Sequence, residues 1–395
     1  MTIPLAPYDV VMPPAVHFGA GRFGELGTVA AGLGRRAWIV AGGRSVVGSG
    51  LFVQLEALLS ATGVHAELLA TTAGEPTVAH VAQALARLPR GGHEGGVVIG
   101  IGGGAAIDLA KAVAALATNV GPGEADLEAA VIDRLEGVGR GLPISIAPLP
   151  VIAVPTTAGT GAEATRNAVI SCPRRRFKKS LRSPLMVPRV AVVDPELSRS
   201  CDRHTTAASG LDCITQLVES YVCRFARPIP RALVLDALPR AVAAFPRVLD
   251  APGDAAARAA MSHAALISGI ALTNAGLGMA HGVAAALGIE CGTPHGLACA
   301  AILPLAVRVN LPVAAADFAA LERAVSGGSS TEAAAFADRI TRLCVLAGVP
   351  TRLRDLGLAF ERIAWVADQS GGASMRGNPR QLEPSDLRSI LEAVW

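Results

Sequence analysis

None of the seven cysteines (Cys172, Cys201, Cys213, Cys223, Cys291, Cys299, Cys344) stands in a CxxC pair, and their number is odd. A disulfide framework and a structural zinc on thiolates are both disfavoured, and reduced thiols in a reducing compartment fit the count. Although 51% of the residues are hydrophobic, no uninterrupted apolar run approaches the roughly 20 residues of a membrane span. The opening stretch, MTIPLAPYDVVMPPAVHFGAGRF, lacks the basic start and apolar core of a secretory leader. The expectation is a soluble, cytoplasmic chain with no membrane partner. Charge of one sign is scarce too: 35 Lys and Arg against 32 Asp and Glu leave a formal +3, with one basic cluster at Arg174, Arg175, Arg176, Lys178 and Lys179. That is too little for a nucleic-acid footprint, and the cluster reads as a solvated loop.

What is present is length and alternation. At 395 residues the chain exceeds one ordinary core, since single cores stop growing at about 250–300 residues. In the first half, short β-branched runs alternate with Ala- and Leu-rich stretches, which argues for βαβ units and a parallel sheet. Strands are expected at Ala37–Ala41, His65–Ala70, Gly96–Ile101 and Val151–Val154, with helices at 51–60 and 105–117. Pro76 is expected near the first turn of a further helix. Beyond Asp194-Pro195 the pattern becomes amphipathic helices punctuated by residues such as Pro246, Pro304 and Pro312. The expected organisation is an α/β Rossmann-like dinucleotide-binding domain over 1–195 and an all-α metal- and substrate-binding domain over 196–395.

Gly102-Gly103-Gly104 follows an apolar strand and opens a helix. Such glycines let backbone approach a pyrophosphate at the N–H-rich helix start, and they equally suit a tight turn with no ligand. A second loop after a strand, Pro155 to Glu163, concentrates Thr156, Thr157 and Thr160 among glycines and offers hydroxyl and backbone donors. At the end of the first clear strand, Gly42, Gly43, Arg44 and Ser45 stand where a carboxylate would grip the ribose 2′-OH. Room and a guanidinium favour NADP(H) over NAD(H), unless Arg44 is merely a surface arginine.

In the second half, Asp212 and Gln216 are four apart and share a helix face, while His281 and His295 follow in AHGVAAALGIECGTPHG. One carboxylate and two imidazoles make a ligand set for a divalent transition metal.

The strings GGGAAIDLAK, VPTTAGTGAEAT, DPEL, SGLDCITQLVESY, AHGVAAALG and TPHGLACAAILP resemble, in order and spacing, the motifs of the iron-dependent (group III) alcohol dehydrogenases. The resemblance extends over essentially the whole chain, to Gly377-Asn378-Pro379. It implies that fold (shared with dehydroquinate synthase), a cleft between the domains, and hydride transfer between a nicotinamide and a small carbonyl or alcohol, in a homodimer. The implied ligands of Fe2+ or Zn2+ are Asp212, Gln216, His281 and His295, with Asp212 and the two histidines catalytic. The implied cofactor contacts are the loops above, with Asp108, Lys111 and Lys178 or Lys179 on the ribose and nicotinamide side. Two departures stand out. Gln216 replaces a typical histidine, and Ala285 replaces a histidine that in many members helps to relay the proton. A maleylacetate reductase-like enzyme without metal, or an inactive nucleotide-binding homologue, are the alternatives.

Overall fold

The protein is described by a computed structural model covering residues 7–89, 95–121 and 123–395; the first six residues of the stretch read for a leader lie outside that range. Strands β1 (Ala15–Phe18), β2 (Arg36–Gly42), β3 (His65–Thr72), β4 (Gly96–Gly102), β5 (Val151–Pro155) and β8 (Val190–Val193) form a six-stranded parallel sheet ordered β1-β8-β5-β4-β2-β3. Period-2 alternation sends Trp38, Val40 and Val98 into one core and Ala37, Ile39, Val97 and Ile99 into another. Both faces of the sheet are therefore covered, which is why these strands read as continuous apolar runs.

The covering helices are α1 (Leu26–Ala31), α2 (Leu51–Ala61), α3 (Val78–Arg87), α4 (Gly104–Asn119) and the short α5 (Leu127–Ile132). Pro76 lies just ahead of α3 rather than in its first turn; Thr77 is the N-cap, and it forms a reciprocal capping box with His80. Gly100 lets α4 press onto β4, since a Cβ there would sit 2.8 Å from the Ala110 methyl.

An antiparallel hairpin, β6 (Asn167–Cys172) and β7 (Phe177–Arg182), leaves the sheet between β5 and β8. It had no counterpart in the sequence reading. Its turn and second strand carry the basic cluster, so that segment is a structured hairpin rather than a loose loop.

From Arg203 onward the described chain is helical: α6 (Arg203–Val222), α7 (Pro228–Asp250), α8 (Ala255–Ala275), α9 (Met279–Cys291), α10 (His295–Val325), α11 (Ala333–Leu346), α12 (Ile363–Gln369), α13 (Ala373–Gly377) and α14 (Pro384–Glu392). Three prolines expected to punctuate helices, Pro246, Pro304 and Pro312, sit inside them. Proline in a helix interior costs about 3 kcal/mol; here burial of Phe245, Val248, Leu303, Val307 and Phe318 offsets that cost, and α10 kinks at Ala314. By length and composition α8 and α10 are also apolar enough to cross a membrane, contrary to the expectation from apolar runs, but most of the apolar window of α8 is buried inside the protein.

Candidate active site

Three loops at the carboxyl ends of adjacent strands meet. Gly102, at φ 145°, abuts Gly42: a Cβ on Gly102 would lie 3.0 Å from the Gly42 nitrogen and 2.9 Å from the Ala106 methyl. The Thr156 N–H donates to the Gly102 carbonyl at 2.9 Å. Cβ atoms on Gly103 and Gly104 would stand 3.5 Å and 2.5 Å from the side chains of Thr157 and Thr160. Gly42, Gly43, Gly102, Gly103, Gly104, Thr156, Thr157 and Thr160 thus form one continuous surface, with Gly103 opening α4 as its N-cap. The buried Thr156 hydroxyl has no hydrogen-bond partner. Ser45 is beside Gly42, and Arg44 is exposed in the turn after β2, close enough to the α6 cap Asp202 to help lower its pKa behind the Thr205 hydrogen bonds that dominate the shift.

This seat is joined to the helical half by close backbone contact. Gly159 rests on Ser209 of α6, and Gly161 and Gly269 of α8 face each other so closely that a Cβ on Gly269 would lie 2.1 Å from the Gly161 carbonyl oxygen. Ser209 is three residues before Asp212, so the hydroxyl-rich loop and the acidic face of α6 are neighbours.

Asp212, His281 and His295 converge, and Cys299 joins them: one ligand atom from each lies within 4.8 Å of all the others. His281 Nε2 is 3.3 Å and His295 Nε2 4.0 Å from Asp212 Oδ1. The His281 Nδ1 is held by Glu219 at 2.7 Å, an interaction that keeps a proton on Nδ1 and aims Nε2 at Asp212. Nε2 and Asp212 Oδ1 thus face each other, both buried without a hydrogen-bond partner. A cation between them, a proton or a metal ion, satisfies both, and the donor types fit a divalent transition metal.

The electrostatics of these side chains alone favour a proton on His281 in the place a metal ion would take. Burial raises the Asp212 pKa, yet His281 and His295 outweigh it and hold the carboxyl below its ordinary value. Burial lowers that of His281, but Cys299, Asp212 and Glu219 together push it well above the usual imidazole range. Burial and the Lys178 ammonium press His295 down to about 4, although its side chain remains 30% exposed on the cleft side. It is neutral at pH 7, as a ligand must be.

Gln216 is hydrogen-bonded on both sides of its amide. Its Nε2 donates to Asp212 Oδ2 at 3.1 Å and its carbonyl oxygen accepts from the Ser268 hydroxyl at 2.7 Å. Lys111 is likewise committed: its side chain is fully buried, 2.9 Å from Asp108 Oδ1, donating to the Ala162 carbonyl and to Thr165 Oγ1 at 2.9 and 2.7 Å, and also to the Asn167 carbonyl. Asp108 also accepts from the Val169 N–H at 2.9 Å. Both tie α4 to the hairpin, which leaves no Lys111 donor for a ribose. Lys178 pairs with Glu75, both close enough to His295 to act on its charge, and Lys179 is across from Ile170 on the other hairpin face. Arg174 pairs with Glu128, and Arg176 with Glu290 while stacking 5.3 Å from the Trp365 ring. The basic cluster is largely neutralised and fastens the hairpin to α5 and to the C-terminal helices.

Glu219 and Cys299 escaped the sequence reading. Glu219 is seven residues after Asp212, and Cys299 four after His295, both helical same-face spacings. Asn378 escaped as a bracing residue too: its Oδ1 accepts from the Met279 N–H at 3.1 Å and pins the start of α9.

Residues 13–195 match the family described as iron-containing alcohol dehydrogenase, and residues 206–395 its C-terminal counterpart, the Fe-containing alcohol dehydrogenase family. The chain is similar to the probable alcohol dehydrogenase EutG of Escherichia coli K12 (31% identical over 385 residues, 97% of this chain and 93% of the relative). It is also similar to the lactaldehyde reductase of the same organism (29% over 392 residues, covering 98% and 99%). Among solved structures it resembles a 1,3-propanediol oxidoreductase (TM-score 0.88, 27% identity, covering 99% and 100%) and the sulfoacetaldehyde reductase of Bifidobacterium kashiwanohense in complex with NAD+ (TM-score 0.85, 27% identity, covering 98% and 99%). The fold and site define a nicotinamide-linked oxidoreductase acting on CH–OH groups. The chain belongs to the iron-containing alcohol dehydrogenase family.

Proposed function

We propose that the protein interconverts a small aldehyde or ketone and its alcohol, using NADP(H) in preference to NAD(H), with Asp212, His281 and His295 holding a divalent ion. The observation that carries this reading is the convergence of those three side chains within 4.8 Å, beside a glycine and threonine seat that packs directly on α6. When bound, the nicotinamide supplies the hydride for the carbonyl carbon and the ion polarises the carbonyl oxygen. Residues 1–195 carry the dinucleotide and 196–395 the metal. The N–H groups at the start of α4 and the hydroxyls of Thr156, Thr157 and Thr160 bind the pyrophosphate, while the exposed Arg44 meets the 2′-phosphate. Glu219 orients His281, and Lys178 or Lys179 serves the ribose and nicotinamide side of the cofactor or draws a negatively charged substrate. A soluble cytoplasmic homodimer is the proposed working form, and its seven thiols are all free.

The test is an aldehyde and ketone panel followed by NADPH and NADH oxidation, on protein loaded with Fe2+ or Zn2+. Asp212→Asn is expected to lower metal affinity and turnover by more than about 100-fold, beyond what loss of an outer-shell partner costs. Arg44→Asp is expected to reverse the cofactor preference, read as the ratio of dissociation constants. Full activity after chelation would point instead to a metal-free reductase, and tighter binding of NADH by the unmodified protein would refute the cofactor choice.

A further inference from the structure

We infer that Cys299, as a thiolate, is the fourth protein ligand of the metal, in the place that Gln216 does not fill. This rests on the proposed metal at Asp212, His281 and His295. Around a tetrahedral ion with bonds of about 2.0–2.3 Å, neighbouring donor atoms lie about 3.3–3.8 Å apart. The His281 Nε2 to Asp212 Oδ1 separation is 3.3 Å, and Cys299 Sγ lies 3.7 Å from His295 Nε2. Those are edges of one small polyhedron, whose remaining measured edge, His295 Nε2 to Asp212 Oδ1, is 4.0 Å. Cys299 is fully buried and one helical turn beyond His295 on α10, so the helix that delivers one ligand delivers the other.

Gln216 is turned away from this role by its neighbours. The Ser268 hydroxyl occupies its carbonyl oxygen, and its amide N–H braces the second oxygen of Asp212. The amide therefore steadies a ligand, and the thiol takes the coordination position. On binding, the S–H bond breaks and the sulfur–metal bond forms, with the proton released to solvent. A thiolate beside two imidazoles and a carboxylate shifts preference toward thiophilic ions such as zinc.

Cobalt(II) substitution of the full-length protein reads this directly, independently of turnover. The expected spectrum has a thiolate-to-cobalt charge-transfer band in the near ultraviolet. Cys299→Ser is expected to abolish the band and weaken cobalt binding about tenfold or more, with the far-ultraviolet circular dichroism unchanged, while Gln216→Ala keeps the band. Cadmium-113 NMR of the unmodified protein, expected to show the strongly deshielded resonance of a thiolate-ligated ion, needs no variant and covers misfolding of Cys299→Ser. Cobalt bound with no such band, or a band that survives Cys299→Ser, overturns the assignment of Cys299 and leaves the three-residue metal reading standing. No stoichiometric cobalt binding at all overturns both.

Discussion

The proposed nucleotide seat and the proposed metal cluster would solve the same problem, holding a charged group, with opposite materials. The seat is made of backbone and small side chains from three loops at neighbouring strand ends, and its shape depends on the absence of Cβ atoms at Gly102 and Gly104. The cluster is made of long polar side chains from α6, α9 and α10, and depends on their being turned inward. Each has a buried charge one layer behind it: Lys111 behind the seat, Glu219 behind His281. The front region is therefore expected to be sensitive to added bulk and the back region to the loss of one ionisable atom.

That contrast breaks most visibly at Lys111. Replacing it with Met leaves the partly exposed Asp108 with only the Val169 N–H and takes the donor from the Ala162 and Asn167 carbonyls and Thr165 Oγ1, and each lost hydrogen bond to a charged group costs roughly 1.5–3 kcal/mol. The expected result is a large drop in the urea midpoint, whereas a lower NADP(H) affinity with unchanged stability would return Lys111 to the ribose. Gly269→Ala drives a methyl into the Gly161 carbonyl and is expected to destabilise by about 1–3 kcal/mol, read by thermal unfolding. At the back, Glu219→Gln keeps shape but removes charge; metal affinity is expected to fall about 10–100-fold while cofactor affinity, measured by fluorescence, stays put. If cofactor affinity falls equally, the two regions are not separable.

The smallest effect concerns the buried Glu163, whose carboxyl is raised by burial to about 7, against its own backbone N–H and Lys111, which lower it. Below about pH 4.5 the folded and unfolded states both keep the proton. Between there and pH 7 the unfolded chain gives it up first, so this residue makes stability fall as pH rises, and the loss is complete above pH 7. Denaturation curves of Glu163→Gln across pH 5 to 8 should be flatter than those of the unmodified protein by on the order of 1–3 kcal/mol; parallel curves would mean Glu163 is already ionised in the fold.

The strands and the loops that follow them were legible because each is a contiguous string: β2, β4 and β5 fall within a residue or two of the expected spans, and GGG and the Thr-rich loop follow their strands directly. The hairpin β6–β7 was illegible because its alternation carries Arg and Lys, whose apolar stems and acid partners Glu75, Glu128 and Glu290 come from distant segments. Prolines inside α7 and α10 misled for the same reason, since packing outweighed a local penalty.

Residue order alone determined the parallel sheet and the helical second half, because periodicity and turn chemistry are local, and the family resemblance named Asp212, His281 and His295 as ligand candidates. Only the tertiary structure decided what each polar group does with its partners: that Lys111 is consumed internally, that Gln216 donates to Asp212, and that Cys299 lies beside Asp212 and the two histidines. Hydrogen-bond and ion-pair choices depend on atoms brought together across hundreds of residues, and no local pattern encodes that distance.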